Sequence, residues 1–180
     1  MEQLASELAE NLEAFRALFH APENCDFVVR ELAPHGVRMA ALYIDGMANR
    51  RNLEDMVLRP LMNMRPFGGM APEGRSAALA AQVLPTGTGK LESGVRKIAD
   101  FVLDGTCAVL CDGCAPAVLA EMPGFSSRAV DQPPIESAAF APHEAFNETI
   151  RTNLTLLHRI LRTPDFVTEI LEIGSSSKTK

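Results

Sequence analysis

The sequence predicts a mixed α/β domain, a sheet built from β-hairpins and flanked by amphipathic helices. Three observations carry that expectation. Apolar residues recur at helical spacing in several separate stretches, and two pairs of β-rich runs are joined by turn-forming residues. The chain's 180 residues, 47% hydrophobic and 22% charged, suffice for one genuine core but leave no room for a second large domain.

Leu4, Leu8, Leu12, Phe15 and Phe19 form a stripe with Glu2, Glu7, Glu10 and Glu13 lying off it, which predicts an opening helix that ends before Pro22. Asp26 to Leu32 and Val37 to Ile44 are β-rich and flank Pro34, His35 and Gly36, the chemistry of a hairpin turn. After Asp45-Gly46, Asn52 with Asp55 reads as a capped helix start, with Leu53, Met56, Val57 and Leu61 on one face and a bend or stop near Pro60. Arg65 to Arg75 holds two prolines and three glycines and is expected to be a mobile loop. Leu79 to Leu84 suits a short buried strand, with helix nearly as good an assignment for so alanine-rich a run.

Thr88 can cap a helix carrying Leu91, Val95, Ile98, Val102 and Leu103, which Gly105 then terminates. A second hairpin is expected from Cys107 to Cys111 and Ala115 to Glu121 about Asp112-Gly113. Pro123 to Pro142 is rich in proline and small residues and reads as extended or looped. A long helix follows, with Phe146, Ile150, Leu154, Leu157 and Leu161 on its buried face, Glu148 and Arg151 paired on the wetter side, and Pro164 as its stop. Phe166 to Ile173 suits one more short element, and GSSSKTK lacks any apolar anchor. The organisation is thus an N-terminal amphipathic helix over 1–22, a mixed α/β domain over 23–173, and a linker or frayed end over 174–180.

A net charge of -6 repels phosphate backbones and anionic lipid surfaces, which demotes nucleic acid as a partner. No stretch approaches the roughly 18 to 20 apolar residues that a spanning helix needs. The acidic N-terminus lacks the form of an export signal, so Cys25, Cys107, Cys111 and Cys114 are expected to be free thiols in a reducing compartment.

Cys107, Cys111 and Cys114 have the C-x3-C-x2-C spacing of an iron-sulfur loop. Ala108, Val109 and Leu110 nonetheless look like a strand interior, which would hold Cys107 and Cys111 about 13 Å apart, too far for one cluster. Ordinary buried cysteines are the better reading. Gly87-Thr88-Gly89-Lys90 is similar to a phosphate-binding loop, but Leu84 and Leu91 stand where that motif needs glycine and a hydroxyl. His20, His35, His143 and His158 are dispersed without metal-type spacing, and His158, beside Arg159, is expected on the polar side of its helix. No cofactor or metal is expected, nor a catalytic constellation.

The ordered set Asp26 with FVVREL, YIDGM, LEDMVLRPLM, LDGTCAVLCDG, Arg128 with QPPIES, and ESAAFAPHEAFNETIRTNLTLLHRILR followed by TPDF and EIG resembles the A subunits of bacterial spore germinant receptors. The resemblance covers nearly all of 26–174. The chain departs from it at Phe140, Ala141 and Pro142, where an Arg-Gly-Pro is usual, at Ala145, where glycine is usual, and in a sparser arginine run near His158 and Arg159.

The resemblance implies the first soluble lobe of a longer membrane protein, on the cytoplasmic, spore-core face of the spore inner membrane. The spanning region would lie outside these residues. The implied role is non-enzymatic: nutrient sensing, or receptor assembly and signal relay, with other receptor subunits or a small nutrient germinant as partners. An enzyme domain, or an iron-sulfur site at the three cysteines, is the disfavoured alternative. Loops at Asp45-Gly46, Asp112-Gly113 and Gly124 to Glu136 are expected to gather at sheet ends, and Asp45, Asp112, Arg128, Glu136, Glu148, Arg151 and Asn153 are the candidate ligand or partner residues.

Overall fold

A computed structural model describes residues 2–85, 89–122 and 146–171. Arg128, Glu136, His143, the departures at Phe140, Ala141, Pro142 and Ala145, the expected cap at Thr88, and GSSSKTK all lie outside the described residues, as does the expected loop from Pro123 to Pro142.

The sheet has five strands, β1 (Phe27–Leu32), β2 (Met39–Ile44), β3 (Lys90–Glu92), β4 (Thr106–Cys111) and β5 (Ala117–Glu121), in the order β1-β2-β4-β5-β3. Every neighbouring pair is antiparallel. Both expected hairpins are present, with Phe27 opposite Ile44 and Thr106 opposite Glu121. Successive strand residues point to opposite faces, and both faces of this sheet are covered.

On one face Ala40, Leu42, Ile44, Ala108, Leu110, Ala117 and Leu119 pack against α1 (Leu8–Leu18) and α5 (Val95–Leu103). On the other, Met39, Ala41, Cys107, Val109, Cys111, Val118 and Ala120 meet Leu53, Val57, Leu61 and Leu79 from helical segments between β2 and β3. Coverage on both sides explains why β4, TCAVLC, is buried at every position and reads as an unbroken small and apolar run.

The stripe on the opening helix is buried throughout, although the helix proper begins at Leu8 and Leu4 precedes it in extended chain. The buried Asn11 makes that arrangement, because its amide both accepts from Ala5 N and donates to Ala5 O at 2.8 Å. Between β2 and β3, α2 (Arg50–Leu53), a π-helical turn (Glu54–Leu58) and α3 (Arg59–Asn63) run on without a break. The cap is Asn49, which accepts from Asn52 N at 3.1 Å, three residues before the expected cap. Pro60 does not stop this helix. The wider turn just before it changes the bonding pattern where proline offers no N–H, and the helix continues to Asn63. Met56 lies off the buried face and is exposed.

Leu79 to Leu84 is helical rather than strand: α4 (Arg75–Ala78) passes into a second π-helical turn (Leu79–Val83). Alanine's helical preference prevails there over the short apolar run. The expected helix from Thr88 begins only at Val95, and Lys90 to Glu92 is instead the edge strand, with Leu91 exposed. Lys90 therefore opens a strand and not a helix, which removes the helix-terminus geometry a phosphate loop needs. Gly105, at φ +89°, follows the end of α5 as expected. No regular element forms over 166–171.

Candidate functional site

The last helix, α6 (Ile150–Leu161), crosses one end of the sheet, where β1 begins and β2 ends. Its start is organised by Asn147 and Asn153. Asn147 N donates to Asn153 Oδ1 at 2.8 Å, Asn153 Nδ2 donates to Asn147 O at 2.7 Å, and Thr149 N donates to Asn147 Oδ1 at 2.9 Å. Arg162 closes the helix in a left-handed conformation at φ +40°, two residues before Pro164.

The face of α6 turned to the body differs from the one its leucines and isoleucines suggest. Leu156 and His158 are buried, whereas Phe146, Ile150 and Leu161 are exposed. Polar contacts set that rotation. Arg151 pairs with Asp45, Thr155 Oγ1 donates to Gly46 O at 3.2 Å, and His158 Nε2 lies 3.1 Å from Asp26 Oδ2. Arg162 pairs with Asp104 at the end of α5. Gly46 has φ +91°, and a Cβ there would stand 3.0 Å from Thr155 Oγ1, so only glycine lets the helix lie this close.

His158 is therefore not the solvated or partly buried imidazole expected beside Arg159 on the polar side of the helix. It is 2% exposed, and Phe166 packs edge-on against its ring at 4.7 Å. An ionised carboxylate only accepts hydrogen bonds, so Nε2 carries the proton toward Asp26. Burial pushes the Asp26 carboxyl up, but the hydrogen bond from His158, with smaller help from Thr168 and from the charge of Arg151, outweighs it, and its pKa lies below the ordinary 3.8. Arg151 is in turn pushed up by its hydrogen bond to Asp45. The strap after α6 lies along the same edge, with Cys25 N donating to Thr168 O at 2.9 Å and Asn24 Nδ2 to Phe166 O at 3.3 Å.

Of the expected site residues, Asp45, Arg151 and Asn153 thus come together at one end of the sheet. Asp112 does not. It follows β4, which runs antiparallel to β2, so it sits at the opposite end, where its carboxylate accepts from Leu8 N at 2.9 Å and caps α1. Glu148 is exposed, and Arg151's partner is Asp45 rather than Glu148. The expected gathering of the two Asp-Gly loops is corrected by strand direction.

Beside the α6 seam lies a cleft of about 510 Å³, lined by Met47, Phe101, Asp104, Glu121, Arg159 and Arg162 among others. Charges of both signs meet there over an apolar floor. Sequence reasoning missed this cleft, since its members come from in and around β2, α5, β4, β5 and α6, which only the fold brings together. Outside the seam a row of large apolar side chains faces water: Ile150 at 71%, Phe146 and Ile160 at 64%, Leu171 at 62% and Ile170 at 60%. Among the described residues no cluster of three or more His, Cys, Asp or Glu could hold a metal ion, and no helix is long and apolar enough to cross a membrane.

Comparison with known proteins places this geometry. The profile of the family described as Bacillus/Clostridium GerA spore germination protein matches residues 13–180. Spore germination protein KA of Bacillus subtilis is 22% identical over 157 residues, covering 86% of this chain and 28% of that protein. Spore germination protein B1 of the same organism is 23% identical over 178 residues, covering 99% of this chain and 36% of that protein. The chain therefore spans about a third of the length of these relatives. The crystal structure of the N-terminal domain of the A subunit of the Bacillus megaterium spore germinant receptor GerK3 shares the fold, with a TM-score of 0.73 at 20% identity, covering 98% of this chain and 63% of that one.

Proposed function

The chain belongs to the GerA spore germination protein family, and from that premise we propose that it is a non-enzymatic module of a germinant-receptor A subunit that assembles with another receptor subunit and relays the nutrient signal. The observation that carries this reading is the outward apolar row of Phe146, Ile150, Ile160, Ile170 and Leu171. Single apolar residues on a surface are ordinary, but five large ones more than half exposed within one helix and its flanking chain are more than a monomer usually shows to water. The subunit naming of the GerK3 neighbour supports a receptor partner as its occupant. Within the longer protein the module would lie on the cytoplasmic face of the spore inner membrane, held by a spanning region beyond these residues.

Relay follows from how α6 is held. Its contacts to the body are chiefly discrete polar pairs, so a partner that binds its outer face differently in two receptor states would bias its seating on the sheet. The test is binding of the chain to the soluble region of another receptor subunit by calorimetry. Ile150→Glu combined with Ile160→Glu is expected to weaken binding at least tenfold, as loss of anchoring side chains does, with thermal unfolding unchanged. A wild-type chain that binds no receptor subunit overturns the reading.

A second reading rests on the cleft. Both signs of charge line the cleft, where Arg162 and Asp104 already pair with each other, and a small zwitterion such as an amino acid could exchange into that pair. Millimolar amino acids, sugars and nucleosides would then be compared by thermal unfolding. A saturable rise with one of them, absent in Arg159→Ala, would make this lobe a direct sensor.

A further inference from the structure

We propose that Cys111 and Cys114 form a peroxide-oxidisable dithiol that closes to a disulfide across the Asp112-Gly113 turn. The two residues are the first and fourth of that turn, which Cys114 N closes by donating to Cys111 O at 3.1 Å. Such a turn holds its end Cα atoms less than about 7 Å apart, within the span that a disulfide bridges. Gly113 permits the turn: it has φ +81°, and a Cβ there would lie 2.7 Å from Pro72 Cβ. The proposal is independent of the assembly role, since the turn lies at the end of the sheet opposite α6.

Both thiols are buried, at 2% and 3% exposure, in the cluster between the sheet and α4. A bulky disulfide would not reach them, whereas hydrogen peroxide is little larger than water. Their surroundings make them unequal. The neighbouring Cys111 thiol, with the charge of Arg75, holds the Cys114 thiol down against the upward push of burial, while the Cys111 thiol itself donates to Asp112 O at 3.7 Å. Cys114, together with burial, pushes Cys111 up. Pro72 O, 2.7 Å from Cys114 Sγ, accepts only from the protonated thiol and so acts the other way. Ionisation of Cys114 therefore gives up the Pro72 contact.

Cys114 is then the attacking sulfur. Its thiolate takes one oxygen from hydrogen peroxide, giving a sulfenic acid and hydroxide. The Cys111 sulfur attacks that sulfenic sulfur as its own proton neutralises the hydroxide, the disulfide forms, and the displaced hydroxyl takes up the proton that Cys114 gave up on ionising and leaves as water. One peroxide is reduced to two waters and two thiols become one disulfide. The closed form removes the thiol donor to Pro72 O and stiffens a turn that also holds the N-terminus, through Leu8 N to Asp112 Oδ1 and Gly113 N to Ser6 O, each at 2.9 Å. Cys107 is an internal control, because burial in mid-strand pushes its thiol up to about 12.

The 180-residue chain carrying Cys25→Ser, which removes the exposed thiol, is treated with hydrogen peroxide, unfolded, alkylated with N-ethylmaleimide and mapped by mass spectrometry. The expected result is a chain lighter by two hydrogens in which only Cys107 is alkylated. In Cys111→Ser the sulfenic acid cannot resolve, so dimedone labels Cys114, while in Cys114→Ser Cys111 stays unlabelled. Both changes replace sulfur by oxygen at nearly constant volume, and circular dichroism checks the fold. Full alkylation of Cys111 and Cys114 after peroxide, or dimedone on Cys111, overturns the proposal.

Discussion

His158 on α6 donates to Asp26 at the entry to β1 across 3.1 Å, joining residues 132 positions apart in the chain. A buried histidine against a nearly buried carboxylate is costly to isolate, so neither residue is a bystander in the seating of α6.

Replacing His158 with Ala leaves the Asp26 carboxylate without its main partner. Breaking a buried pair from one side costs about 3 kcal/mol, the lower end of the usual range because Asp26 keeps some contact with water. Urea unfolding of His158→Ala should show that loss as a lower midpoint with an unchanged slope.

The pH dependence has a definite sign. The Asp26 pKa is lower in the folded chain than its ordinary 3.8, so the unfolded chain takes up the proton first as acid is added. Its contribution is fully present above pH 3.8 and is lost as pH falls from there through the folded value. Asp26→Asn should therefore be less stable than wild type near neutrality, with the gap narrowing below about pH 4 in a denaturation series. A gap that widens in acid contradicts the assignment.

Gly46→Ala tests the seam from the sheet side. A positive φ and a Cβ 3.0 Å from Thr155 Oγ1 act together, and the expected cost is about 2 kcal/mol. Proteolysis should then cut within 146–171 sooner than in wild type.

Asn49→Ala removes the side-chain acceptor for Asn52 N and should lower stability by about 1 kcal/mol, read as a fall in thermal midpoint. Asn52→Ala should cost less, which separates the observed cap from the one the sequence pattern suggests.

The fold was legible where period and turn chemistry agreed. The β-rich runs of FVVREL and MAALYI with Pro34 to Gly36 between them specify the first hairpin, and Asp112-Gly113 the second. Leu91 misled because its spacing to Val95 and Ile98 fits a helix, while its pairing with Val118 across the sheet is a long-range relationship that no local window contains. The α6 face was misread for a related reason. Its isoleucines mark an outward surface, and what turns inward is chosen by Asp26, Asp45 and Gly46, more than a hundred residues earlier. The candidate site was accordingly half legible: Asp45 and Arg151 were found as residues but not as a pair, and Asp112 proved to be a helix cap.

Leu156 is the one buried leucine of α6, and it belongs to neither of the two apolar clusters that sandwich the sheet. Among the described residues, both apolar clusters are thus closed by the sheet, α1, α5 and the helices of the other face, with no side chain from α6. A helix fastened this way is a clasp rather than a wall: a few polar contacts decide where it sits, with salt and acid as the levers on its seating.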